Sequence, residues 1–239
     1  MTLSDMTKDA IAIVTARGGS KRIPGKNIRD FHGKPLLSWT IHNLFSSHLF
    51  SRVIVSTDSK EISAVSTEAG ADVPFLRPPE LSDDLTPTAN VADHAINWLI
   101  GDGVADNTKF CVVYPAAVSV TPKDLADSRE MLESSSADLV FAGCEFSSHP
   151  DRAWALTEGN LVTPLRQELQ SVRSQDLEPR FYDAGQFYWS NKTAWADLIQ
   201  GRPIRRALYI MPRSRAIDID TEEDWELAEF LFPLSWKLT

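Results

Sequence analysis

Among its 239 residues the chain has only two cysteines, Cys111 and Cys144, each in an apolar stretch. That excludes a disulfide framework and makes a reducing compartment the expectation. No apolar run approaches the ~20 residues of a membrane span. The polar opening Met1–Asp9 lacks the apolar centre of a secretion leader. A cytoplasmic protein without a membrane partner is expected. The five histidines show no metal-ligand spacing with one another or with a cysteine, so no zinc signature is present and all five read as structural or solvated. A net charge of -9 argues against nucleic acid as a partner. Two nucleotide signatures are missing as well. Five residues separate Gly19 from Gly25 and Asn27 follows Lys26, which breaks the P-loop spacing, and no GxGxxG occurs.

What the chain does have is a run of positive charge. Between Arg17 and Lys34 stand six cations (Arg17, Lys21, Arg22, Lys26, Arg29, Lys34) against one acid, Asp30. They follow the apolar run Ile11–Val14, where Gly18 and Gly19 free the backbone to turn off a strand with its N–H groups gathered toward an anion. Pro24 fixes φ within the loop. A local cationic pocket in an acidic chain predicts a small anionic ligand, and this composition reads as a polyphosphate cradle.

A second pattern lies near the other end. In Ala216-Ile217-Asp218-Ile219-Asp220-Thr221 apolar and acidic residues alternate, so an extended segment puts Asp218 and Asp220 on one face, ~7 Å apart at Cα. Ile217 and Ile219 are expected in the core. Thr221 and Asp224 form a capping box for a helix whose inner face is Trp225, Ala228, Leu231 and Phe232. Alone, such a pair serves equally to support the helix N-terminus. Beside a phosphate cradle, two neighbouring carboxylates suit a hard cation that shares its shell with phosphate oxygens and water.

Short β-branched runs alternating with helical periods predict one α/β unit over 1–239 with a mostly parallel sheet covered on both faces. Strands are expected at Ile11–Val14, Arg52–Ser56, Phe110–Val113, Asp138–Cys144 and Ala207–Met211. Helices are expected from Pro35, from Asp58 or Ser59 to Gly70, over about 89–99, and from Pro122 to Leu132. From about 145 to 180 the periodicity fades into turn signals, marking an inserted arm. Regular structure resumes at Gln186–Trp189.

Ala16-Arg17-Gly18-Gly19-Ser20-Lys21, followed by Ile23-Pro24 and Lys26-Asn27, resembles the signature of the CMP-sialic acid synthetases, which are cytidylyltransferases of nine-carbon keto sugar acids. The segments Arg173–Pro179 and Asp183–Trp189 are most similar to those of the pseudaminic acid cytidylyltransferases. The likeness runs from about Ile11 to Phe230. It implies a Rossmann-like nucleotidyltransferase fold, with the arm crossing to a second subunit in a homodimer. It also implies CTP and a nonulosonic acid as substrates and Mg²⁺ or Mn²⁺ on Asp218 and Asp220, which with Arg17 and Lys26 form the catalytic set. Gly18, Gly19 and Ser20 would surround the triphosphate, and Asn27 would fix the ribose or a phosphate oxygen. Arg77, Thr86 and Thr88 would read cytosine. Arg173 would take the sugar carboxylate, and Tyr114, Gln175, Asp176, Asp183 and Gln186 the rest of the sugar. Tyr114 stands where the sialate enzymes carry glutamine, which suits the less polar pseudaminic acid over neuraminic or legionaminic acid. Tyr114–Val118 also lacks that loop's usual second proline. A catalytically silent nucleotide-binding scaffold is the alternative of a different class.

Overall fold

The structure, a computed structural model, describes residues 8–236. Of the polar N-terminal stretch only Lys8 and Asp9 fall within it. Among the described residues are ten strands: β1 Ala10–Thr15, β2 Asp30–Phe31, β3 Lys34–Pro35, β4 Phe50–Ser56, β5 Lys109–Val113, β6 Leu139–Glu145, β7 Trp154–Leu156, β8 Val162–Pro164, β9 Phe181–Asn191 and β10 Arg206–Ile210. The helices are α1 Leu36–Ser46, α2 Lys60–Glu68, α3 Thr88–Gly101, α4 Pro122–Ser134, α5 Lys192–Ile199 and α6 Glu222–Trp236.

Six strands form the main sheet in the order β10-β6-β9-β5-β1-β4. All run parallel except β9, which pairs antiparallel with both β5 and β6. β1 shows why the sheet needs cover on both sides. Its Ala10, Ala12 and Val14 enter one core with Leu37 and Ile41 of α1 and Leu125 of α4, while Ile11 and Ile13 enter another with Ile96 of α3 and Trp195 of α5. Alternating side chains that are apolar on both faces are the mark of a strand buried between two helical layers.

A third, smaller core decides where the two sequence motifs end up. Ile23 of the cationic loop, Phe31 of the β2–β3 hairpin, Ile219 of the acidic segment and Trp225, Ala228 and Phe232 of α6 pack together. Ile23 and Ile219 are almost wholly buried. Burying each contributes on the order of 2 kcal/mol, and together they draw residues nearly two hundred positions apart to one end of the sheet.

The expected strands and helices are present, with bounds shifted by a residue or two. Ser59, rather than Asp58, caps α2, accepting a bond from the Ile62 N–H at 3.2 Å. Thr221 and Asp224 form the expected capping box. Four features differ from expectation. Strand β9 begins five residues early, at Phe181, and lies antiparallel in mid-sheet. α5 and the β2–β3 hairpin had no clear periodic signal. Residues 216–220 form no strand, and Ile217 is only half-buried. The arm expected at 145–180 contains the β7–β8 hairpin and several single turns.

Candidate active site

The end of β1 and the loop after it, the loop 77–86, the start of α3, residues 114–116 after β5 and the acidic segment before α6 enclose a cleft of about 330 Å³. Arg17, Ser20, Lys26, Asn27, Asp218 and Asp220 all line it, so the cationic loop and the twin acids share one wall. Lys26 is the direct link: its Nζ donates to the Ile219 carbonyl at 2.5 Å and lies 3.5 Å from Asp220 Oδ1. Arg22 approaches the same carboxylate at 2.9 Å. Across the cleft, Asp84 accepts from both Arg17 and Lys21, so the carboxylate of an exposed loop occupies part of the anion cradle. These two cations hold the Asp84 pKa below its usual range, Lys21 first and Arg17 next.

The loop's local chemistry departs from expectation at the glycines. Gly18 donates its N–H to Asp58 Oδ1 at 2.8 Å, and a Cβ on it would stand 3.0 Å from the Ser59 Cβ. Gly18 therefore lets the loop approach the start of α2, and its N–H is spent there instead of facing an anion. Neither Gly18 nor Gly19 lines the cleft. The glycine needed for its conformation is Gly25, at φ +66°, immediately before the turn Lys26–Ile28. Asn27 is buried and donates to the Arg17 carbonyl at 2.9 Å. Its Oδ1 has no partner. As oriented, Asn27 holds the Arg17 backbone in place.

Arg77 also lines the cleft, yet it is buried and donates from Nη2 to the Ser56 carbonyl at 2.5 Å and from Nε to Ser56 Oγ at 3.2 Å. Burial lowers its pKa. This guanidinium ties the end of β4 to the segment after α2. Thr86 donates to Asp83 at 2.6 Å, and Thr88, the first residue of α3, meets the Tyr114 hydroxyl at 3.1 Å.

Of the sugar-acid set, Tyr114 and Asp183 lie beside the cleft; the others do not. Gln186 is buried and donates to the Ala184 and Ile217 carbonyls at 2.9 and 3.0 Å. In this conformation it fastens β9 to the acidic segment. Arg173, Gln175 and Asp176 sit exposed on the arm, with Arg173 donating to Asp176 at 2.8 Å. They line no cavity shared with the cleft within one chain, because the arm leaves the sheet after β6 and rejoins it only at β9.

Asp218 has the most perturbed carboxyl of the cleft. Solvent reaches it through the mouth, but protein crowds it, and its pKa is raised to about 6, first by that burial and then by the Asp220 carboxylate, against the pull of Lys26 and Arg22. Like charges held this close favour a cation between them. Among the described residues no cluster of three or more His, Cys, Asp or Glu could cage a metal by itself. Two carboxylates facing a phosphate cradle suit Mg²⁺, which takes one or two protein carboxylates and completes its octahedron with phosphate oxygens and water.

Sequence reasoning passed over Arg22, Asp84 and Gly185. Arg22 was one cation among six, and no local signal distinguishes the one that reaches Asp220. Asp84 lies two residues before Thr86 with no local signal that it meets Arg17 and Lys21. Gly185 has φ +60°, and a Cβ there would stand 3.1 Å from Asp218 Oδ2. Its position between Ala184 and Gln186 gave no hint of the acid thirty-three positions later.

The sheet, its helical layers and the cleft at the strand ends are those of a nucleotidyltransferase. A CMP:2-keto-3-deoxy-manno-octonic acid synthetase complexed with CTP superposes with a TM-score of 0.66 at 15% identity, covering 94% of this chain and 98% of that one. A profile described as cytidylyltransferase matches residues 11–138. The pseudaminic acid cytidylyltransferase of Campylobacter jejuni is 36% identical over 226 residues, covering 94% of this chain and 97% of that protein. A CMP-N,N'-diacetyllegionaminic acid synthase of Legionella pneumophila is 30% identical, covering 94% and 97%. The chain belongs to the cytidylyltransferase family and is a nucleotidyltransferase enzyme.

Proposed function

We propose that this enzyme joins the cytidylyl group of CTP to pseudaminic acid and releases pyrophosphate. The observation that carries the reading is the cleft in which four basic side chains of the cationic loop and the Asp218 and Asp220 carboxylates converge. Identity to the pseudaminic acid enzymes of Campylobacter jejuni, 36% and 34%, exceeds the 30% to the legionaminic acid synthase and the 27% to the N-acylneuraminate enzyme of Streptococcus agalactiae.

In the reaction the anomeric hydroxyl of the sugar acid attacks the α-phosphorus, the bond to the β-phosphate oxygen breaks, and pyrophosphate leaves. Arg17, Lys26 and Ser20 hold the triphosphate, and Lys21 joins them as Asp84 gives way. Fixed cations neutralise charge where it grows in the transition state. Asn27 accepts from a ribose hydroxyl, and Thr86 and Thr88 face the base. Asp218 and Asp220 would hold Mg²⁺, or Mn²⁺ in its place, which would supply Lewis acidity at the α-phosphate and the attacking hydroxyl. Asp220 takes the hydroxyl proton or orients the group that does.

The arm leaves Trp154, Leu156, Leu161 and Leu165 exposed, an apolar surface suited to a second copy of the chain. In the resulting homodimer Arg173, Gln175 and Asp176 belong to the neighbouring subunit's sugar site. No described helix is long and apolar enough to cross a membrane, and we place the reaction in the cytoplasm.

Pyrophosphate release with CTP, Mg²⁺ and a panel of nonulosonic acids tests the reading. Pseudaminic acid should be turned over fastest, and an equal or better rate with neuraminic or legionaminic acid overturns the specificity. No release with any acid would leave only a nucleotide-binding scaffold.

A further inference from the structure

The acidic segment carries the two carboxylates yet forms no strand. Side chains hold much of its backbone instead. The Ile217 carbonyl accepts from Gln186 Nε2 at 3.0 Å and the Ile219 carbonyl from Lys26 Nζ at 2.5 Å. At the far end Asp224 accepts from the N–H groups of Asp220 and Thr221, at 3.2 and 2.8 Å. Residues two apart in an extended chain repeat their orientation, so the anchored carbonyls of Ile217 and Ile219 bracket Asp218. The Asp220 carboxylate repels that of Asp218, and a backbone free to shift would let the two acids move apart.

Gln186 reaches Ile217 because of an irregularity in β9. Along β6, Phe141 pairs with Tyr188 and Gly143 with Asp183, so residues 184–187 of β9 stand opposite the single residue Ala142. A bulge of this kind bends a strand and re-aims its side chains. On the other side of β9 the pairing with β5 is regular, and just beyond it the Tyr114 N–H donates to the Gln186 carbonyl at 2.9 Å. The Gln186 main chain is thus pinned to the end of β5, while its buried side chain donates to the carbonyls of Ala184 and Ile217.

Gly185, at φ +60°, makes the bend possible. It also leaves the space that Asp218 fills, since a Cβ there would stand 3.1 Å from Oδ2 and 3.2 Å from Cγ of that acid. The bulge meets Asp218 twice, at its carboxyl group and at the carbonyl before it.

We propose, resting on the metal-holding role given above to Asp218 and Asp220, that this bulge is the seat of Asp218. Gln186 and Gly185 are positioning residues: one holds the carbonyl before the acid, the other makes room for its carboxyl group. Together they keep Asp218 beside Asp220 for a divalent ion that binds with CTP. Lys26 cannot isolate this role, because it also lines the nucleotide cleft. Gln186 can, since its amide hydrogens go to main-chain carbonyls.

The test reads metal binding without turnover: Mn²⁺ is titrated into enzyme and CTP with no sugar acid, and water proton relaxation is compared with a protein-free blank of Mn²⁺ and CTP. Gln186→Met keeps the volume and removes the donor, whereas Gly185→Ala keeps the donor and adds the crowding methyl. Each should weaken Mn²⁺ binding about tenfold or more, the effect expected when a partner that orients a metal ligand is lost. The Mg²⁺ concentration for half-maximal pyrophosphate release with pseudaminic acid should rise by a similar factor, while the Kd for CTP in chelator stays within about twofold. A merely structural loss would weaken both. Should Gln186→Met not fold, Gly185→Ala decides alone. Unchanged Mn²⁺ affinity in the folded variants overturns the proposal, and so does an effect confined to the KM for the sugar acid, which would make Gln186 a substrate contact. Because the titration contains no sugar acid, a wild type that turns over no nonulosonic acid removes the proposed function and leaves this inference standing. A wild type that takes up no Mn²⁺ with CTP removes this inference.

Discussion

Replacing Asp218 by asparagine should stabilise the metal-free protein while destroying its activity. The Asp218 carboxyl is raised from 3.8 to about 6 by crowding and by Asp220, so at neutral pH the folded chain holds a carboxylate that would rather be protonated. A shift of that size in full isolation corresponds to ~3 kcal/mol. Solvent reaches this side chain, and screening reduces the recoverable part to on the order of 1 kcal/mol. For a chain of this length that is a rise in Tm of about 2–4 °C. The pH dependence has a definite sign. With the folded value above the unfolded one, the wild type is unpenalised below about pH 4 and loses stability as pH rises through about 6. The advantage of Asp218→Asn should thus be largest above pH 7 and vanish near pH 4. Thermal unfolding in a chelating buffer, repeated across that range, measures it. Adding Mg²⁺ and CTP should reverse the order, because only the wild type gains stability from binding. A variant less stable than the wild type in chelator, or an advantage that does not shrink on acidification, would refute the account of the paired acids.

Two further changes probe the surroundings. Asp84→Asn removes the carboxylate that competes with triphosphate for Arg17 and Lys21, so the KM for CTP should fall about twofold to fivefold at low salt, and by less at high salt; a rise in KM would mean that Asp84 serves the bound nucleotide. Asp124, at the start of α4, is buried against Arg215, 2.9 Å from Nη2 to Oδ1, in the turn that leads to Asp218. Burial alone would raise its pKa, but bonds from Arg215 and Thr121 outweigh it and bring the value below the usual carboxylate range, so this stabilisation is present above about pH 4 and is lost on acidification. Asp124→Asn should cost about 3 kcal/mol in urea unfolding by leaving a partly buried guanidinium without its counter-charge, and a loss below about 1 kcal/mol would show that the pair contributes little.

The parts legible in the sequence were those whose cause is local. β1, β4, β5 and β6 are apolar on both faces because both faces are covered, and that shows as unbroken runs. The Thr221–Asp224 box is a four-residue pattern that closes on itself. β9 was only half visible, since an antiparallel strand between parallel neighbours has no composition of its own. α5, of eight residues, is too short for a clear period.

Residue type alone determined the chemistry at hand: a cationic loop able to neutralise phosphate and a pair of acids able to share a divalent ion. Which member of each set meets which was decided only in three dimensions, because packing, not charge, brings the two motifs together. Ile23 and Ile219 share a small core beneath α6, and that placement sets Lys26 and Arg22 against Asp220 while Asp84 closes on Arg17. The same folding turned Gln186 inward to a pair of carbonyls and kept Arg173 out on the arm. A local pattern records what a side chain can bind, whereas its partner is chosen by distant residues that the chain does not list in order.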